Sequence, residues 1–369
     1  VDWGDGSSDT GVTADITHTY ASAGNYTVSI RGDFPAIRFG NTGDKDKILS
    51  VDQWGELVWQ SFSQAFHGCS NMDVVASDAP NLSGVTDMFL MFSDCSSLAG
   101  STSFNSWDVS RVANMLAMFQ NATIFNADIS NWNTIGVTNM GFMFSQAAAF
   151  NQNISGWNVS NVSNMNKMFQ VTSSFNQNIG SWDVSSVTDM GDMFNQASSF
   201  NQDISAWDVS NVNQMNGMFT QASSFDQNLG PWDISNVNDM GFMLSGVTLS
   251  TANYDATLTG WATLDDGETQ IPQNITFDGG NSLYCFSEFD RQALIDTFGW
   301  TITDGGRDAN CTFDNQAPQI VCPVDIAAES PDGQPLLVIL TDPTGTDNET
   351  APENLVFEGT RSDGLPLTD

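Results

Sequence analysis

Residues 150–174 read FNQNISGWNVSNVSNMNKMFQVTSS, and nearly the same words return from 125, 175, 200 and 225. Trp107, Trp132, Trp157, Trp182, Trp207 and Trp232 mark a 25-residue period that never slips. A fixed period of this length is the signature of a stacked repeat architecture. A chain that reuses one unit gains a long surface rather than a single pocket, which points to binding or building before catalysis.

Within the quoted copy, Val162, Met165, Met168 and Phe169 recur at helical spacing, and Ser160 precedes them where a hydroxyl caps a helix start. Ser110, Ser185, Ser210 and Ser235 hold the same slot, while the copy from 125 has Ile135 and Gly136 there. The other half, Phe150 to Val159, carries period-two elements and predicts one short strand. The expected fold class is therefore an α/β repeat solenoid, leucine-rich-repeat-like, with one short strand and one helical turn in each coil. Small β-rich, immunoglobulin-like segments flank it, and about eight coils stacked at about 4.8 Å make a body of about 40 Å.

Aligned copies form columns. Met115 through Met240, Met118 through Met243, and Phe119 through Phe219 closed by Leu244 repeat beside the tryptophans. Core packing is the favoured reading of these columns; a methionine-lined groove or a sugar-stacking tryptophan platform is the other. Polar columns repeat too: Asn151, Asn153, Asn176, Asn178, Asn201, Asp203, Asp226 and Asn228, interleaved with Gln152, Gln177, Gln202 and Gln227. They read either as amide ladders bonding along the stack or as a face for glycan, protein or cation contact. Cys69 and Cys95 fall in the small-residue slot of Ala122, Ala147 and Thr172, as two packed thiols or, between adjacent coils, as a disulfide.

Forty-four acids against nine bases give a formal charge of −35, and between Ile48 and Asp290 the only cations are Arg111 and Lys167. Such a field argues against nucleic acid and anionic membrane as partners. Nor does any apolar run reach the length of a bilayer span, so membrane insertion is not expected. The two histidines, His18 and His67, sit near no GxSxG, HExxH, P-loop or paired CxxC pattern, so no catalytic residues are expected. Asp189 and Asp192 read as a solvated face. Beginning at Val1, the sequence reads as an excerpt of a longer precursor.

At the ends, Tyr26, Val28 and Ile30 alternate as in a strand, and Asp2 and Asp5 in DWGDG offer a possible Ca2+ site or simply a turn. Arg31-Gly32-Asp33 is read as a strand-end turn rather than a ligand loop. Near the other end, Phe289, Ala293, Leu294 and Phe298 predict an amphipathic helix before a closing strand, with Cys285 and Cys311 spaced for a disulfide staple. Beyond Cys311 a Pro-punctuated β segment begins, in which Cys322 has no evident partner.

The unit FNQxISxWDVSNVxxMxxMF resembles the BspA-like leucine-rich-repeat surface proteins, especially those of Bacteroidota. VDWGDG…HTYASAGNYTVSIRGDFP is similar to a polycystic-kidney-disease (PKD) type β domain, GWTITDGGRDANC to the family's C-terminal cap, and APQIVCPVDI…GTRSDGLPLTD to the first half of a hyalin-repeat (HYR) domain. The division implied is 1–48 for the PKD-like segment, 49–250 for the repeats, 251–313 for their cap and 314–369 for the partial HYR domain. The resemblance implies a secreted, cell-surface protein sorted by type IX secretion, with surface proteins or glycans as partners, and brings no catalytic residues. Adhesion is the leading expectation; a stalk or self-assembling filament subunit of an extracellular array is the alternative.

Overall fold

Successive copies of the repeat are joined by single parallel bridges: Asn114 pairs with Asn139, Asn139 with Asn164, then Asp189, Gln214 and Asp239 in turn. This is the picture in a computed structural model that describes residues 1–14, 16–265, 267–311, 319–321 and 344–346. The bridges are carried by backbone bonds such as Met140 N–H to the Asn164 carbonyl at 3.0 Å and Met165 N–H to that of Asp189 at 3.0 Å.

The structure overturns the strand-plus-helix solenoid. The segment from Val162 to Ser174 contains no helix, and Phe150 to Val159 no strand; both are built of turns and irregular backbone. Three-residue turns close it instead: Met168 N–H bonds the Met165 carbonyl, Thr172 that of Phe169 and Phe175 that of Thr172, each at 3.1 Å. Each such turn brings the chain back inside after three residues, which imitates helical spacing. Continuation as a helix is blocked because Lys167 and Val171 sit in the left-handed region at φ 56° and 57°, as do Phe142 and Gln146 one coil earlier. Ser160 caps no helix; its N–H and hydroxyl bond the Asn158 side-chain oxygen at 3.0 and 2.7 Å, an Asx turn.

Val171 is the misfit among these left-handed residues, because a β-branched side chain suffers most there. Neighbouring coils use Asn121 and Gln146 at the same place. Val171→Asn is expected to raise unfolding stability by about 1 kcal/mol, read as a higher urea midpoint at unchanged slope. An unchanged or lower midpoint would show that the half-buried valine contributes more by packing than it loses in strain.

The repeated apolar columns fill the interior: Trp157, Met165, Met168 and Phe169 are all 3% exposed or less. From Trp132 to Trp232 burial of the indole is made tolerable by a bond to the previous coil, Trp157 Nε1 to the Ile129 carbonyl at 3.1 Å and Trp182 Nε1 to that of Ile154 at 3.2 Å, whereas the buried Nε1 of Trp107 has no partner. The rings of Trp107 and Trp132, Trp132 and Trp157, and Trp207 and Trp232 stack at 6.0 to 6.4 Å.

The flanks also depart from expectation. The described residues of 1–48 form no immunoglobulin-like sheet; among them are bridges of Asp2 with Ser8 and Ser29 and a 3-10 turn at Lys45–Lys47. Val28 of the expected strand is exposed, and order comes instead from rings, Trp3 on His18 at 4.8 Å and Tyr20 on Tyr26 at 4.1 Å. Next, β1 (Ser50–Val51) pairs in parallel with β2 (Asp73–Val74).

After the last regular coil comes α1 (Thr251–Ala262), unforeseen because its sequence lacks a clear apolar stripe, with the Ser250 hydroxyl accepting from Asn253 N–H. Then β3 (Thr276–Asp278) pairs in parallel with the closing strand β4 (Thr301–Thr303), and α2 (Glu288–Asp296) lies between them in sequence. Leu294 of α2 is fully buried as an amphipathic helix requires, whereas Phe289, expected on the same face, is 81% exposed. Residues Val1–Asp308 form one unit and Ala309–Asp369 another; in the second, β5 (Gln319–Val321) pairs antiparallel with β6 (Thr344–Thr346). Cys322 and most of the expected HYR segment lie outside the described residues.

Candidate binding surface

The polar columns divide into two kinds. The side-chain oxygen of Asn151 accepts the backbone N–H of Asn176 at 3.0 Å and the amide of Gln177 at 2.9 Å; Asn176 does the same for Asn201 and Gln202, and Asn201 for Asp226 and Gln227. Each asparagine thus supplies the acceptor that the next coil's backbone needs there, and the glutamines tighten the joint. Asp226 ends the row by accepting from Ser250 N–H, the Ser250 hydroxyl and the Asn253 amide at 2.7, 2.9 and 2.8 Å, which anchors the start of α1.

Asn153, Asn178, Asp203 and Asn228 make no such inter-coil joint. Each closes an Asx turn within its own coil, onto the N–H of Ser155, Gly180, Ser205 and Gly230 at 2.8 to 3.0 Å. Asn153, Asn178 and Asp203 are exposed and Asn228 partly so. Asn178 and Asp203 share a shallow groove with Gly180, Ser181, Gln202 and Ala206.

Hydrogen bonds from Ser205 hold the Asp203 carboxyl below its ordinary value of 3.8, and Ser110 and Ser185 do the same for Asp108 and Asp183. The Asp5 carboxyl is held lowest, at about 2, first by the Ser7 hydroxyl and N–H and then by His18 at 2.8 Å. These groups release protons more readily folded than unfolded, so below 3.8 the unfolded chain takes up protons first. The thermal midpoint is expected to fall as pH drops from about 4 towards 2; a midpoint flat across that window contradicts it.

Asp2 and Asp5 close turns onto Gly4 and Ser7, and among the described residues no three His, Cys, Asp or Glu side chains come together to hold a metal. Gly32 and Asp33 of the Arg-Gly-Asp tripeptide border a second shallow groove with Phe34, Pro35, Glu56 and Leu57. Cys285 and Cys311 are disulfide-bonded, whereas Cys69 and Cys95 are free and buried. Burial pushes the Cys69 thiol up to about 12 and raises Cys95 as well, whose Sγ–H donates to the Phe66 carbonyl at 3.1 Å.

One column, buried at Ala117 and Gly217 and reaching solvent at Phe142, Lys167, Asp192 and Phe242, escaped the sequence reading. Ala117, Phe142, Lys167, Asp192, Gly217 and Phe242 occupy one place in successive copies, and every one is left-handed, with φ between 54° and 63°. Lys167 Nζ lies 5.2 Å from the Phe142 ring centre and 3.8 Å from Asp192 Oδ2, and Phe242 is 70% exposed. The available signal was the contrast with the column that follows it: alanine, aromatic, base, acid and glycine alternate beside a methionine repeated from Met118 to Met243.

Among the described residues no helix is long and apolar enough to cross a membrane. No curated protein and no solved structure matches the chain. The model of a family described as "Mycoplasma protein of unknown function, DUF285" matches residues 60–177 and 150–261, the coils whose ladders are described above. Together these matches span residues 60–261, more than half of the sequence, and the chain belongs to the DUF285 family.

Proposed function

We propose that this protein is a non-catalytic, extracellular adhesion module that holds protein or glycan partners along the outer face of its stacked coils. The observation that carries this is the division of labour within the repeat. Trp, Met and Phe columns fill the interior, one asparagine column joins the coils, and the remaining polar positions are laid out along the stack with only shallow grooves between them. A surface of that form suits an extended partner better than a small enclosed substrate.

Placement outside the cell, at a bacterial surface after type IX secretion, is part of the same proposal. It is supported by the disulfide state of Cys285 and Cys311 and by the charge of −35. The likeness of 314–369 to HYR domains and the Bacteroidota affinity belong to it as spacer and source. The test is to immobilise the full chain and measure retention of surface glycans and cell-surface proteins. Saturable retention is expected; a chain that retains neither, and instead assembles end to end, defeats the proposal in favour of a structural filament subunit.

A further inference from the structure

The copies of the repeat act as controls for one another. A position that the stack needs is filled the same way each time, as the Trp, Met and Phe columns are. The left-handed column at 117, 142, 167, 192, 217 and 242 is filled differently at almost every step, and its backbone conformation favours glycine. Gly217 shows that glycine serves: its N–H bonds the Gly241 carbonyl at 2.8 Å, as Lys167 N–H bonds that of Gly191 at 2.9 Å. Holding Phe142, Lys167 and Phe242 there costs about 1 kcal/mol or more apiece, and the backbone bond between coils is made equally well by glycine. Strain retained at a position the fold does not need marks a functional one.

We propose that this column, with the exposed Gln196 and Gln221 beside it, is the docking line for a short extended segment of a partner protein that is apolar at its ends and basic in its middle. The assignment rests on the adhesion reading above and names its partner. Phe242 offers an exposed ring at one end and Phe142 a partly exposed one at the other. Four coils separate them, about 19 Å, the reach of about six extended residues.

Between the rings the buried Gly217 carries no side chain of its own, and the Asp192 carboxylate fills the space a Cβ there would take, so an acid stands at the middle of the column. Asp189 and Asp239 stand in the neighbouring bridge column, and Lys167 is the one lysine between Ile48 and Asp290. That excess of acid selects a cationic occupant. It opposes a second copy of this chain, which would bring another −35.

The test is an NMR titration of the full chain with the peptide acetyl-Leu-Lys-Ser-Lys-Ser-Leu-amide and with its counterpart carrying Glu in place of Lys. The basic peptide is expected to bind and to shift amides from Phe142 to Phe242, and the acidic one to leave them unmoved. Phe242→Ala and Asp192→Asn should each weaken binding about tenfold, with thermal midpoints unchanged. Asp208→Asn, an exposed carboxylate in an Asx turn outside the column, should weaken it less than about twofold. Equal loss in the Asp208 variant reduces the effect to the general acidic field and overturns the proposal, as does absence of binding. If Phe242→Ala leaves retention of surface proteins intact, this docking line is wrong and adhesion stands; if the unaltered chain retains nothing, adhesion itself fails.

Discussion

Asp255→Ala is expected to destabilise the C-terminal end of the coil stack by about 3 kcal/mol or more. The carboxylate lies on α1, is 8% exposed, and accepts four bonds: from the N–H groups of Cys285, Phe286 and Ser287 at 2.9, 3.0 and 3.1 Å and from the Ser287 hydroxyl at 2.6 Å. Those three N–H groups belong to the turn that leads into α2, Ser287 being its N-cap, and so lie beside the positive dipole end of the helix. One anion therefore satisfies the entry to α2 and ties it to α1. Alanine leaves the donors buried with no acceptor, and each orphan costs about 1–3 kcal/mol before water enters. Asp255→Asn keeps one acceptor oxygen but turns an amide donor towards another N–H, so an intermediate loss is expected. Chemical denaturation reads the size, and amide exchange at 285–287 reads the place. A loss under about 1 kcal/mol for alanine would mean that solvent replaces the carboxylate freely.

Repetition made the interior legible and left the backbone obscure. A tryptophan that returns every 25 residues must meet the same surroundings each time, so Trp157, Met165 and Phe169 could be placed inside from sequence alone. Periodicity does not distinguish a helix from a run of three-residue turns, because both bring every third or fourth side chain inward. The deciding feature, the left-handed backbone at Lys167 and Val171, is written in residues with no preference for it. In the Asn151 row, an amide that completes a neighbour's backbone and an amide offered to a ligand look identical as letters. Asn151 proved to be the first kind, while Asn153 keeps a polar atom free. The variable column could have been found by asking which position the copies do not share, a comparison that needs no structure.

Removing residues 150–174 as a block is expected to leave a folded protein, whereas removing 150–161 alone is expected to destroy the coil stack. The full deletion joins Ala149 to Phe175, and every column resumes in register. The Asn126 side chain, which accepts Asn151 N–H at 3.0 Å, meets Asn176 N–H instead, and the Trp182 indole, bonded to the Ile154 carbonyl at 3.2 Å, finds that of Ile129. Phe194 falls on Phe144 in place of Phe169, which stacks there at 5.8 Å. What is lost is one coil and one interface, and in a structure bonded only between neighbours that loss does not spread. The half deletion removes Trp157 but keeps Met165 and Phe169, so each later column is offered the wrong partner and bridges such as Asn139 to Asn164 cannot form beside a complete coil. A cooperative thermal transition in the full deletion, shifted by a few degrees, and none in the half deletion is the expected pair of results. Cooperative folding of the half deletion, or collapse of the full one, would mean that the coils depend on particular neighbours rather than on a common register.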